Sequence, residues 1–143
     1  MAVAHSAEYL TEQIGGESRR LLLRNAEIER FEVQYTPFGI FELWDQLIGK
    51  ASPPQVRHVR DLVALGLIGG GMDDVRADAL VASLPPSENL YLRGLAVRLL
   101  GLAFVPAIAK APSKKKSAGS LGGKPGQGQS GTTQGPESPT SAA

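Results

Sequence analysis

The 143-residue chain contains no cysteine and only two histidines. The lack of cysteine excludes disulfides, thiol nucleophiles and zinc sites built on thiolates, and it is typical of proteins from a reducing cytoplasm. His5 and His58 are the only imidazoles, and no HxxE or HExxH spacing exists, so the sequence predicts no metal site. The N-terminus shows no secretory signal pattern, and the longest apolar run, residues 99–109, is shorter than the roughly 20 residues that span a bilayer. No membrane association is expected.

Catalytic signatures are also missing. The stretch GLIGGGMDD, residues 66–74, lacks the GK[ST] ending of a phosphate-binding loop and follows a predicted helix, so it is interpreted as a helix end and turn. Asp73, Asp74 and Asp78 lack the spacing of a calcium-binding loop, and helix capping accounts for them. No serine lies in a GxSxG turn. We therefore expect neither enzymatic activity nor a cofactor.

Large apolar side chains are scarce after residue 109. Glycine, serine and proline supply 17 of the 34 residues from 110 to 143, and Leu121 is the only large aliphatic residue there. Such a segment cannot bury enough apolar surface to offset an ordering cost of about 1–2 kcal/mol per residue. The sequence therefore predicts a folded domain over residues 8–109 and a disordered tail over residues 110–143.

The charge of the chain is divided unevenly between these two parts. Residues 1–109 carry 10 Lys and Arg against 13 Asp and Glu, a net charge of −3, whereas residues 110–143 carry five lysines against Glu137. A domain that binds nucleic acid through bulk charge is basic, so nucleic acid is not expected as a partner. The lysines of the tail are interpreted as solvated.

The first half of the domain shows signals for a hairpin and two helices. Gly15 and Gly16 separate two short runs that favour a β-hairpin. Asn25 is predicted to cap a first helix that carries Ile28, Phe31 and Tyr35 at helical spacing, although a strand over residues 29–35 is the alternative. A second helix is predicted to begin at Thr36-Pro37, with the threonine as cap.

The second helix contains an apolar stripe formed by Ile40, Phe41, Trp44, Leu47 and Ile48. We expect this stripe to face the core and Trp44 to be buried at its centre. Phe38 instead falls on the polar side, near Glu42 and Asp45, and is predicted to be exposed.

Three further helices are predicted after the second. The third helix follows a capping box at residues 52–55 and ends at the glycines of residues 69–71. The fourth is capped by Asp73, and the fifth runs from Ser87 to about Phe104. Gly94 and Gly101 lie nearly on one face of the last helix and are predicted to let another helix approach closely. The expected fold class is α+β and mostly α-helical, with a short N-terminal hairpin and four to five helices.

Candidate partner-binding residues are few. Arg57 and Arg60 lie three apart on the third helix, where a solvated helix face is preferred over a contact with phosphate, and His58 is interpreted as solvated on the same side. Phe38 is the aromatic residue left over once the stripe is assigned to the core. Phe38, Arg57 and Arg60 are therefore the candidate contacts to a partner protein.

The order of these elements resembles that of the small tail assembly chaperones of gene transfer agents and long-tailed phages. The resemblance covers about residues 10–106 and depends mostly on GIFELWDQL, residues 39–47, followed by DLVALGLIGGG, residues 61–71. It implies a protein that acts in the cytoplasm of the bacterial host, binds the tape measure protein and keeps it soluble, helps tail tube subunits polymerise, and is absent from the mature particle. Self-association stays open.

Two other interpretations remain open at this point. The chain could be a small regulatory or nucleic-acid-binding adaptor, with Arg57, Arg60 and the lysine tail on phosphates, although the negative domain argues against it. It could also be a permanent structural component of the tail or neck, which its presence in purified particles would indicate.

Overall fold

The computed structural model describes residues 8–109, so the predicted disordered tail lies outside the described residues. The elements are β1 Leu10–Ile14, β2 Glu17–Leu21, α1 Asn25–Tyr35, α2 Ile40–Leu47, α3 Val56–Gly69, α4 Asp74–Ser83, a 3-10 turn Pro86–Glu88, α5 Asn89–Phe104 and the single turn α6 Pro106–Ala109. The predicted α+β fold, mostly helical with an N-terminal hairpin, is confirmed.

The hairpin forms around the two adjacent glycines. β1 and β2 pair antiparallel, with Ile14 opposite Glu17 and Leu10 opposite Leu21. Gly15 and Gly16 have φ angles of +65° and +87°, which glycine adopts without steric cost and which a tight two-residue hairpin turn requires.

Helix α3 lies at the centre of the domain. It packs against α5, α4, α1 and β2, and it is buried along most of its length. The largest fully buried side chains outside α3 belong to the same core cluster: Phe31, Leu21, Leu43, Leu92, Leu95, Leu99 and Leu100. The apolar residues of all the major elements therefore meet in one core around α3.

The close approach of β2 to α3 depends on glycines at the end of α3. A Cβ atom on Gly69 would lie 1.9 Å from the carbonyl oxygen of Leu22, and one on Gly70 would lie 2.1 Å from that of Arg20. The backbone N–H of Leu22 also donates to the carbonyl of Gly66 at 2.9 Å. The glycine-rich stretch ends a helix, as predicted, and it also provides the surface on which the hairpin packs.

Gly94 and Gly101, by contrast, are not sites of close helix packing. A Cβ atom on Gly94 would meet only the guanidinium of Arg98 at 3.5 Å, and one on Gly101 would meet the ring of Trp44 at 4.0 Å. Both are ordinary van der Waals distances, so the prediction of a close approach at these two residues is wrong.

Helix α1 forms as predicted, and the alternative strand over residues 29–35 is wrong. The cap position is Arg24, one residue before the predicted Asn25. The carboxylate of Glu27, which is 2% exposed, accepts the backbone N–H of Arg24 at 2.9 Å and its guanidinium Nε at 3.0 Å. The hydrogen bond from Arg24 lowers the pKa of Glu27.

Helix α2 begins at Ile40, so the prediction that Thr36 and Pro37 open it is wrong. The Thr36–Pro37 peptide is cis and precedes the helix. Two carboxylates satisfy the first N–H groups instead: Glu42 accepts from Gly39 and Glu32 accepts from Ile40, both at 2.9 Å.

Of the caps predicted for α3 and α4, only the one for α4 forms. Helix α3 begins at Val56, with Gln55 at the cap position and no side-chain cap, so the capping box at residues 52–55 is wrong. Asp73 caps α4 as predicted, because its carboxylate accepts the N–H groups of Val75 at 3.1 Å and Arg76 at 3.4 Å.

Candidate protein-interaction face

Helix α2 turns only part of its apolar surface toward the core. Ile40, Leu43 and Leu47 are 3%, 0% and 6% exposed, whereas Phe41 is 70% exposed and Trp44 is only partly buried. The prediction that Phe41 belongs to the core is therefore wrong, whereas Trp44 packs against the core, as predicted, without being fully buried. A helical wheel shows which side of a helix is apolar, but it does not show which part of that side faces the core. The predicted stripe also omitted Leu43, which is fully buried.

Three aromatic rings gather on the outer side of α2 and the end of α5. The ring of Phe104 lies 5.6 Å from that of Phe41, and it lies 5.6 Å from that of Trp44 in an edge-to-face arrangement with an interplanar angle of 86°. Ile48, directly after α2, is 40% exposed. We call Phe41, Trp44, Ile48 and Phe104 the aromatic face.

Acidic side chains border this face. Glu42 and Asp45 are exposed beside Phe41 and Trp44, and α2 contains no basic residue. One oxygen of Glu42 caps the start of the helix at Gly39. The border of the aromatic face along α2 is therefore negatively charged.

Phe38 is not the exposed aromatic residue that the sequence predicted. It is partly buried and packs against the core, with its ring stacked on the imidazole of His58 at 4.5 Å and an interplanar angle of 15°. The Phe31 ring lies 6.3 Å away. The structure thus places most of Phe38 inside the domain, and its role in binding a partner stays a prediction.

His58 is buried rather than solvated, with 4% of its surface exposed. The rings of Tyr35 and Phe38 each lie 4.5 Å from its imidazole, and that of Phe31 lies 5.9 Å away. Burial lowers the pKa of His58, and the nearby charge of Arg57 adds to this effect. The aromatic residues come from α1 and the turn after it, so the spacing within α3 gave no signal for this burial.

The two candidate arginines differ in their surroundings. Arg57 is exposed, with its guanidinium 5.6 Å from the centre of the Tyr35 ring and its Nε donating to Gln55 at 3.0 Å. Arg60 is partly buried and donates to the Leu84 carbonyl at 2.8 Å, to Asn89 Oδ1 at 2.6 Å and to the Val81 carbonyl. Arg60 therefore joins α3 to the end of α4 and the start of α5, and the solvated interpretation is wrong for it.

A polar cleft of about 430 Å³ lies between α1, α3 and α4. Several of its polar side chains pair with one another or with nearby groups: Gln34 and the Tyr35 hydroxyl donate to Asp61, and Arg30 contacts Asp74 at 3.2 Å. Burial and the bond to Asp61 raise the pKa of Tyr35 to about 12. The cleft thus has the features of a structural network, since Arg30, Gln34, Arg60 and Asp61 bond to other groups of the domain.

Within residues 8–109, no group of three or more His, Asp and Glu residues could hold a metal ion. In the same part of the chain, no helix is long and apolar enough to cross a membrane.

Residues 9–105 match the profile of a family described as phage tail tube protein, GTA-gp10. The chain belongs to this family. The match extends from the hairpin to the end of α5 and includes the whole aromatic face. Comparison with curated proteins and with solved structures gave no match. The resemblance to proteins of phage and gene transfer agent tails is thereby confirmed at the level of a tail family, and the chaperone role within it stays a proposal.

Proposed function

We propose that this tail protein is a non-enzymatic assembly chaperone that binds the tape measure protein during tail morphogenesis in the cytoplasm of the bacterial host. The observation that carries the proposal is the outward-facing aromatic face. The core already contains Phe31, Ile40 and Leu43, yet Phe41 remains 70% exposed next to Trp44 and Phe104. An exposed aromatic ring that rests on partly buried aromatic rings forms an apolar surface of the kind that binds other proteins.

A chaperone for an elongated protein needs an apolar surface that can cover the apolar stripes of its partner until assembly. Membership of a phage tail family supplies a setting in which such a partner exists. The adaptor alternative loses support, because the guanidinium of Arg60 is held inside the domain and residues 1–109 carry 10 basic against 13 acidic side chains.

A permanent structural component of the tail is the second candidate function. The family description, which names a tail tube protein, fits this candidate more directly than it fits a chaperone. In that case the aromatic face would contact neighbouring subunits in the finished tail, and the tail tube protein or a second copy would be the partner.

Two measurements separate these functions. The tape measure protein of the same tail gene cluster is expressed with and without the full chain, and its soluble fraction is measured; the chaperone proposal expects a clear increase with the chain. Purified particles are then analysed by mass spectrometry, where a chaperone is expected to be missing. No gain in solubility would overturn the chaperone proposal, and a stoichiometric amount in finished tails would favour the structural component.

A further inference from the structure

The apolar arc of α2 is wider than the core of the domain requires. With 100° per residue, the arc from Leu43 through Leu47, Ile40 and Trp44 to Phe41 covers about 160° of the helix. The first three of these residues are buried, and exposure then rises to 70% at Phe41. The second half of the arc therefore remains available for contact with another molecule.

The charges around this half of the arc define the kind of molecule that fits. Asp45 and Glu42 follow Phe41 around the helix, both are exposed, and no basic residue of α2 neutralises them. A partner that covers Phe41 brings its own flanking side chains close to these carboxylates. Basic flanking residues gain from this proximity, and acidic ones are repelled.

A second copy of the chain fits this surface poorly. A symmetric dimer through the aromatic face would bring the same acidic border of each copy toward the other. The tail of the same chain also fits poorly: Lys114, Lys115 and Lys116 would suit the carboxylates, but Leu121 is the only large aliphatic residue available to cover three rings.

We infer that the aromatic face binds an amphipathic helix of a partner protein whose apolar stripe is bordered by lysine or arginine. Phe41, Trp44 and Ile48 are spaced i, i+3 and i+7, so they form one row along the helix, and Phe104 widens this surface. Such a row suits the apolar stripe of a partner helix, whose side chains repeat at the same spacings. The inference rests on the proposed function for the expectation that the tape measure protein supplies this helix.

The charge preference is tested with two synthetic helical peptides of about 20 residues, long enough to form helix in water. Both carry the same leucine stripe, which is flanked by lysine in one peptide and by glutamate in the other. Binding to the full chain is measured by peptide anisotropy and by the fluorescence of Trp44, which is the only tryptophan. The lysine-flanked peptide is expected to bind at least about tenfold more tightly, and less so at high salt.

Substitutions locate the binding surface. Phe41→Ser is expected to weaken binding of the lysine-flanked peptide by about tenfold or more, as for a central aromatic contact. Asp45→Lys is expected to weaken it about threefold at low salt and to reduce its salt dependence. The matched controls are Val75→Ser, at a residue 75% exposed on α4, and Asp78→Lys, at an exposed carboxylate of the same helix; both are expected to bind like the wild type.

Several results would overturn the inference. Equal affinity for the two peptides would refute the preference for a partner helix with basic flanking residues. Unchanged peptide binding by Phe41→Ser would refute the aromatic face as the binding site. A dimer in sedimentation velocity that Phe41→Ser dissociates would make a second copy the occupant. If replacing Lys114, Lys115 and Lys116 by glutamate in the full chain made Trp44 more accessible to quencher, the tail would be the occupant.

The same variants distinguish failure of this inference from failure of the proposed function. If the wild type solubilises the tape measure protein and Phe41→Ser and Asp45→Lys do so equally well, the chaperone proposal stands and the assignment of the face is wrong. If the lysine-flanked peptide binds as expected but the tape measure protein gains no solubility, the face is correct and the chaperone proposal fails.

Discussion

The packing of the hairpin against α3 makes Gly69→Ala a sharp test of the fold. The new Cβ atom would lie 1.9 Å from the Leu22 carbonyl oxygen and 3.0 Å from a carboxylate oxygen of the buried Glu27. The first of these neighbours is backbone and cannot rotate away, so β2 has to move from α3 by more than about 1 Å to restore an ordinary carbon–oxygen contact of about 3.3 Å. That movement would also loosen the nearby bond between Leu22 N–H and the Gly66 carbonyl.

The size of the effect follows from two opposing terms. Overpacking of a tight interface costs about 1–3 kcal/mol, and replacing glycine by alanine in a helix returns less than about 1 kcal/mol at a terminal residue. We expect a net loss of about 2 kcal/mol for Gly69→Ala. For a domain of this size, each kcal/mol shifts the Tm by about 4–8 °C, so the Tm should fall by about 8–16 °C.

Gly94→Ala is the matched control in the middle of α5. Its Cβ atom would contact only the Arg98 guanidinium at 3.5 Å, so the gain in helix propensity of about 1 kcal/mol is not offset. We expect its Tm to rise by about 4–8 °C. Thermal unfolding of both variants is followed by circular dichroism at 222 nm, the usual helix band. A Gly69→Ala protein as stable as the wild type would refute the close packing of β2 on α3.

Four further outcomes are expected. The pKa of His58 is lowered from 6.5 in the folded state, so the imidazole takes up a proton more readily in the unfolded chain. The free energy of unfolding should therefore decrease as the pH falls below about 6.5. Urea titrations near pH 7.5 and 5.5 check this, and the His58→Leu variant should lose that part of the pH dependence. Phe38→Ala should lower the stability by about 2–3 kcal/mol in urea titrations, because the ring packs against the core and stacks on His58. Arg60→Met keeps the aliphatic stem but leaves the carbonyls of Val81 and Leu84 without its guanidinium, and it should cost about 2 kcal/mol by the same measurement. Truncation after Ala109 should leave the Tm within about 1 °C of the full chain, and a drop of several degrees would show that the tail docks.

The parts of the fold that follow from short-range signals could be predicted from the sequence. The hairpin depends on Gly15 and Gly16, which adopt positive φ angles, and α4 depends on Asp73, whose carboxylate caps it. The apolar residues at helical spacing in α3 and α5 likewise predicted helices. In each case the signal and its effect lie within a few residues of each other, so no knowledge of the tertiary fold was needed.

The errors occur where distant residues decide the outcome. Thr36 and Pro37 carry the local signature of a helix start, but Glu32, eight residues before Ile40, supplies the carboxylate for the first turn of α2. His58 has polar neighbours in sequence, and the rings of Phe38 and Tyr35 that bury it come from other elements. Propensities and periodicity along one segment contain no information about these contacts.

The misassigned stripe of α2 is also the best functional signal in the chain. The sequence contains enough apolar side chains on α2 for two neighbours, and the prediction assigned the whole stripe of Ile40, Phe41, Trp44, Leu47 and Ile48 to the core. Ile40, Leu43 and Leu47 are at most 6% exposed, Trp44 packs partly against the core, and the arc then leads outward to Phe41. A solvent-facing aromatic residue adds nothing to the core, whereas it suits a helix that binds a second partner. The excess width of the apolar arc on a short helix, rather than any single exposed residue, therefore points to the interaction face.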